Sequence, residues 1–140
     1  MKTQINRGIR LSMFILLCTL CACTKYTTPK KVKNKLTEGV WKMGQVTIDG
    51  TNITSQFNGI EFVFDDHGNI AVSGELASSG TWTTGDDKNP VVIFLNFAPN
   101  TVLYQLSDDW LVMEISKTEC ILNRNDSATN KDRIVFRKIG

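Results

Sequence analysis

Histidine is nearly missing from this chain: His67 is the only one in 140 residues. A zinc site needs three or four ligands converging from separate segments, and no second imidazole or thiol pair is there to join it. The setting Asp65-Asp66-His67-Gly68-Asn69 reads instead as a solvent-facing hairpin turn. Catalysis by a Ser–His or Cys–His pair lacks its second partner, and no G-x-S-x-G elbow or phosphate-binding glycine loop is present. The Asp pairs at 86–87 and 108–109 fall in turn signals, without the spaced oxygens and closing Glu of a calcium loop. Nothing places two carboxylates in a shared apolar cleft. The chain is read as non-enzymatic, with no cofactor and no metal.

Long hydrophobic runs are lacking too. The main one, Leu11 to Leu20, falls short of the roughly 20 apolar residues that span a bilayer. Preceded by Lys2, Arg7 and Arg10, it suits the apolar stretch of a secretory signal. Cleavage needs a small residue before the cut. Ala22 before Cys23 qualifies, whereas Leu20 before Cys21 and Leu17 before Cys18 do not. Leu20-Cys21-Ala22-Cys23 resembles the lipobox of bacterial lipoproteins. The resemblance implies that residues 1–22 are a removed signal and that the Cys23 thiol carries diacylglycerol. Thr24-Lys25-Tyr26-Thr27 lacks the acidic cluster that resembles a surface-export signal in Bacteroidetes lipoproteins. The expected address is the outer membrane, lipid-anchored and facing the periplasm.

Cysteine then runs out. Cys18 and Cys21 leave with the signal and Cys23 carries lipid, so Cys120 stands alone in the folded part. No intramolecular disulfide can form there, and the fold must rest on its apolar core. Cys120 is expected to behave as a small buried apolar residue.

Charge is sorted into blocks. Residues 24–36 carry five lysines and no acid, whereas residues 37–140 carry 8 basic and 14 acidic side chains, a balance of −6. The basic block, from the lipidated Cys23 to residue 36, reads as an extended tether, either a plain soluble linker or one that favours anionic headgroups. An acidic domain argues against nucleic-acid binding.

Residues 37–140 suffice for one domain with one core. Apolar and polar residues alternate, and turn residues interrupt every 8–12 positions, which suits an antiparallel sandwich or barrel. Nine strands are expected, at 40–49, 60–65, 69–75, 80–84, 91–97, 101–106, 110–116, 119–124 and 132–138. The connections are too short for crossover helices, so neighbours should pair antiparallel. The exception is Thr51 to Asn58, where one helical turn could lie across an open barrel end. Parity puts Ile60, Phe62 and Phe64 on one inner face, Leu111, Met113 and Ile115 on another, and Ile134 and Phe136 on a third. Trp41 and Met43 share a face that Val46 does not, so Gly44 between them marks a β-bulge. The expected core is Trp41, Phe62, Phe64, Trp82, Ile93, Leu95, Leu111, Met113, Ile115 and Phe136.

Gly39-Val40-Trp41 resembles the G-x-W start of lipocalins. From Leu36 to Lys138 the chain resembles the lipocalin-like domains of small Bacteroidetes lipoproteins, through Phe62-Val63-Phe64, Gly80-Thr81-Trp82 and the closing Ile134-Val135-Phe136-Arg137-Lys138. The resemblance implies an all-β fold, a small antiparallel up-and-down barrel of 8–9 strands. It also implies a barrel-end motif of Gly39 and Trp41 with a basic side chain of the last strand over the indole. Arg137 has the better chemistry for that place and Lys138 the better parity.

Phe62, Phe64, Trp82, Tyr104, Trp110 and Met113 could line a ligand pocket or fill the interior, since a barrel of eight strands is just wide enough for side chains to fill it. Two functions stay open: a tethered module holding a small apolar or amphiphilic ligand, and an interaction or inhibitor module with a filled core and a periplasmic protein partner. Asp126-Ser127-Ala128 resembles the site at which some Bacteroidetes O-glycosylate exported proteins, making Ser127 a candidate glycosylation site.

Overall fold

The structure, a computed structural model, describes residues 27–124 and 132–140. Cys23 and Ser127 lie outside the described residues. Helix α1 (Pro29–Leu36) comes first, followed by strands β1 (Trp41–Ile48), β2 (Thr51–Asn52), β3 (Glu61–Phe64), β4 (Asn69–Ser73), β5 (Ser78–Thr84), β6 (Val92–Phe97), β7 (Asp108–Ile115), β8 (Glu119–Arg124) and β9 (Arg133–Lys138). Two 3₁₀ turns, Thr54–Phe57 and Val102–Leu106, sit between β2 and β3 and between β6 and β7.

Every pairing is antiparallel, and β1 pairs with both β3 and β9. That second pairing closes β1 and β3–β9 into an eight-stranded up-and-down barrel; β2 is a short extra strand on the far half of β1. Closure runs from Trp41↔Lys138 to Thr47↔Arg133 and slips by one residue between Met43 and Gln45. The expected bulge at Gly44 is therefore present. It resets parity so that Trp41, Met43 and Val46 are all buried. A side chain at Gly44 would collide with the stem of Arg137, which crosses the outside of the strand there.

Three expectations are corrected. Residues 101–106 form no strand; Leu103 and Leu106, both fully buried, sit three apart on one face of a 3₁₀ turn. In β7 the expected facing fails before the register slip between Val112 and Glu114 and holds after it: Trp110 and Val112 point in, Leu111 is half-buried, Met113 is 51% exposed, and Ile115 is buried as expected. The basic segment expected as an extended tether is helical from Pro29. Thr28 caps it, its Oγ1 accepting from the Lys31 N–H at 3.2 Å, Pro29 opens it, and Lys33 and Lys35 lie in the last turn, where the helix dipole favours cations. Val32 and Leu36, one turn apart, are buried in the barrel core, each contributing on the order of 1.5–3 kcal/mol.

Candidate functional site

The barrel interior is where a lipocalin-like module would hold a ligand, and here side chains occupy it. Phe62 meets Phe136 and Phe97 edge-on at 5.4 and 6.5 Å, and Phe64 meets Phe136 and Trp82 at 5.6 and 5.7 Å. These four contacts chain five rings across the barrel in the geometry aromatic quadrupoles prefer. A water-sized void would leave the side chains around it accessible. Yet Trp41, Val46, Phe62, Ile70, Trp110, Leu122 and Ile134 are at 0%, and Phe64 and Phe136 at 1%. Side chains fill the centre, as they do in an ordinary core.

Both ends are also shut, by the same device used twice. Trp41 opens β1 and its indole N–H donates to the Leu36 carbonyl, the last residue of α1, at 2.9 Å. The Lys138 ammonium lies 5.8 Å from its ring centroid. Trp110 lies near the start of β7 and its indole N–H donates to the Leu106 carbonyl, the last residue of the second 3₁₀ turn, at 2.9 Å. The Arg124 guanidinium lies 5.1 Å from its ring centroid. β1 and β7 run in opposite directions, so the two tryptophans enter from opposite ends. Val32 and Leu36 of α1 back the first plug, while Phe57, Leu103 and Leu106 of the two 3₁₀ turns back the second. Gln105 donates to Gln56 at 3.2 Å and ties those two turns together.

The second end carries the densest charge. Arg124 Nη1 is 2.5 Å from Asp108, and its Nε is 2.6 Å from Asp132, off the line of a good hydrogen bond. Asp132 is 5% exposed and also accepts from the Asp49 N–H at 2.6 Å. This network ties β7, β8, the approach to β9 and the β1–β2 turn together. It is a set of ion pairs that links strand ends.

Of the residues named from sequence, Trp41, Phe62, Phe64, Trp82 and Trp110 face the interior. Trp82 donates its indole N–H to the Asp65 carbonyl at 3.1 Å. Gly39 holds φ at +97°, and a Cβ there would strike the Gly140 carbonyl, because Val40 and Gly140 are joined by a backbone hydrogen bond of 3.0 Å. Of the two candidate cations, Lys138 faces Trp41, whereas Arg137 lies outside, 3.7 Å from Glu119. Tyr104 and Met113 are corrected as pocket or core residues: they are 54% and 51% exposed. Tyr104 sits on the solvent side of its 3₁₀ turn, and Met113 is turned outward by the β7 slip. What the sequence reading missed is α1 as a plug and Arg124 as a second stacking cation.

Chemistry-bearing groups are few. Burial pushes the Cys120 thiol up to about 12, so it is not a nucleophile at neutral pH. Asp65 accepts from the Asn69 N–H at 2.8 Å, the Asn69 amide at 3.1 Å and the His67 N–H at 2.9 Å. The hydrogen bonds from Asn69, outweighing burial, hold its carboxyl below the usual range, which fits a turn-stabilising acid. Among the described residues no three potential metal ligands come together.

No family model matches the chain, and no curated protein matches it. Among solved structures it is similar to the crystal structure of a lipocalin-like protein from Bacteroides uniformis, at 18% identity and a TM-score of 0.50 over 75% of this chain and 99% of that one. The chain thus has a lipocalin-like barrel fold, with its interior filled.

Proposed function

We propose that the protein is a lipid-anchored, non-catalytic module that binds through the outside of its barrel and the loops, with the filled interior serving as a rigid pedestal. The observation that carries this reading is the aromatic packing shut in by Trp41 and Trp110. An apolar guest inside would have to displace several of these rings, each costing about 3–5 kcal/mol when removed. The expectation of an internal apolar ligand gives way to the filled-core alternative.

Anchoring rests on the Leu20-Cys21-Ala22-Cys23 pattern. The stretch from Cys23 to Pro29 reaches about 20 Å at full extension. A lipidated Cys23 would therefore keep the α1 end, with exposed Lys30, Lys31 and Lys33, near the headgroups, and leave the end with the 3₁₀ turns facing the periplasm.

The test is titration of the purified protein with the fluorescent apolar probe N-phenyl-naphthylamine. No saturable emission gain is expected. Saturable uptake, lost on widening Phe62 to Trp, would return the function to the interior.

A further inference from the structure

The outside of the barrel has a concavity that the filled interior leaves free to act. Across β4, β5 and β6 the outward side chains are short, Ala71, Ser79, Thr81 and Asn96, and they lie in a groove of about 640 Å³. Ile70, Gly80 and Phe97 turn inward at the same level, so the floor there is backbone. Gly80 is forced by this packing, since a Cβ would lie 2.5 Å from the Phe97 ring. Tyr104 forms one wall and is 54% exposed. Among the described residues no charged side chain lines the groove. The side-chain polar groups of Ser79, Thr81, Asn96 and Tyr104 have no hydrogen-bond partner among the described residues.

We infer that this groove is a binding site for an uncharged saccharide. Hydroxyl and amide groups beside one another offer both donors and acceptors to a ring of hydroxyls. One amphipathic, low-entropy aromatic wall suits the C–H face of a sugar. A groove without charge has no means of selecting an ion, and one open to solvent cannot bury an acyl chain. The inference rests on the reading that binding is external.

The experiment is an NMR titration of the purified protein with cellobiose, maltose and chitobiose, with glucuronate and sialic acid as charged probes. Neutral disaccharide should shift amides in β4, β5 and β6 around Ala71, Ser79 to Thr81 and Asn96. Tyr104→Ala should weaken binding about tenfold or more, as loss of an aromatic anchor does. Ala71→Arg, an outward substitution, should abolish it, and Phe94→Ala, outward on β6 but off the groove, should leave it unchanged. Parent-like dispersion of the amide resonances away from the substituted residue shows that each variant is folded. Silence with all three disaccharides, shifts with the charged probes alone, or shifts that survive both groove variants would each overturn the assignment. Silence here together with no uptake of the apolar probe removes the saccharide and keeps the external reading. Uptake of the apolar probe removes that reading itself.

Discussion

The two ends of the barrel are shut by one plan executed with different materials. At the α1 end a tryptophan is held by a helix carbonyl and covered by Lys138, a flexible ammonium. At the far end a tryptophan is held by a 3₁₀ carbonyl and covered by Arg124, a planar guanidinium fixed between two carboxylates. The first end depends on apolar burial by α1. The second depends on a charge network that spans four segments. Lysine works as a point charge and arginine as a pre-organised fork, so the far end is the one with a specified geometry.

The comparison breaks first at the plugs. Trp41→Ala and Trp110→Ala should each cost about 3–5 kcal/mol in urea melts, because each empties a fully buried site. A loss below about 1 kcal/mol at either end would show that end to be open. Next come the supports. Asp132→Ala strips Arg124 of its most buried partner and should cost about 2–4 kcal/mol, somewhat less than a fully buried pair because Arg124 keeps Asp108 and some solvent. Lys138→Met should cost under about 1 kcal/mol, the size of an exposed cation–π contact. Equal losses from the two would erase the distinction between the ends.

A pH-dependent effect belongs to the buried thiol between them. Its folded value of about 12 lies above the ordinary 9.0, so the neutral form is favoured on folding. That contribution is full below pH 9 and is lost as pH rises toward 12. Parent and Cys120→Ala melts should therefore converge with rising pH across this range, and iodoacetamide should label Cys120 at pH 8 only in denaturant. Labelling of the native protein would mean the β8 wall opens readily. Smallest of all, Met113→Ser should change stability by no more than about 0.5 kcal/mol, being exposed.

The strands were legible wherever period-two alternation ran unbroken. β3, β4, β6, β8 and β9 fall within a residue or two of the expected bounds. Gly44 advertised its bulge because parity on either side disagreed. The slip in β7 carried no such mark: Val112-Met113-Glu114 contains no glycine, and Leu111, Met113 and Ile115 alternate without a break although only Ile115 is buried. Val102, Tyr104 and Leu106 misled similarly, since a period of two and a period of three share positions in so short a run. Helix α1 was legible in principle, from Thr28-Pro29 as a cap and Val32 with Leu36 a turn apart, but five lysines drew attention to charge. The plugs were half visible. Gly39-Val40-Trp41 pointed to Trp41, while Trp110 meets Arg124 only after folding. The groove had no signature, because it is made by the shortness of side chains on three strands.

The seam between β1 and β9 joins the first barrel strand to the last. Every other barrel pairing joins strands adjacent in the barrel's chain order, so it can form as the chain collapses locally. The seam alone must wait for a long-range encounter, the slow kind of step in β topologies. Until Arg133 to Lys138 arrive, β1 and β8 each present an unpaired edge, and such edges recruit other chains. A chain cut short before β9 is therefore expected to aggregate rather than to persist as a slightly smaller barrel. Gly44 bears on the same moment, since without its bulge β1 cannot meet the closing strand with both Met43 and Val46 turned inward.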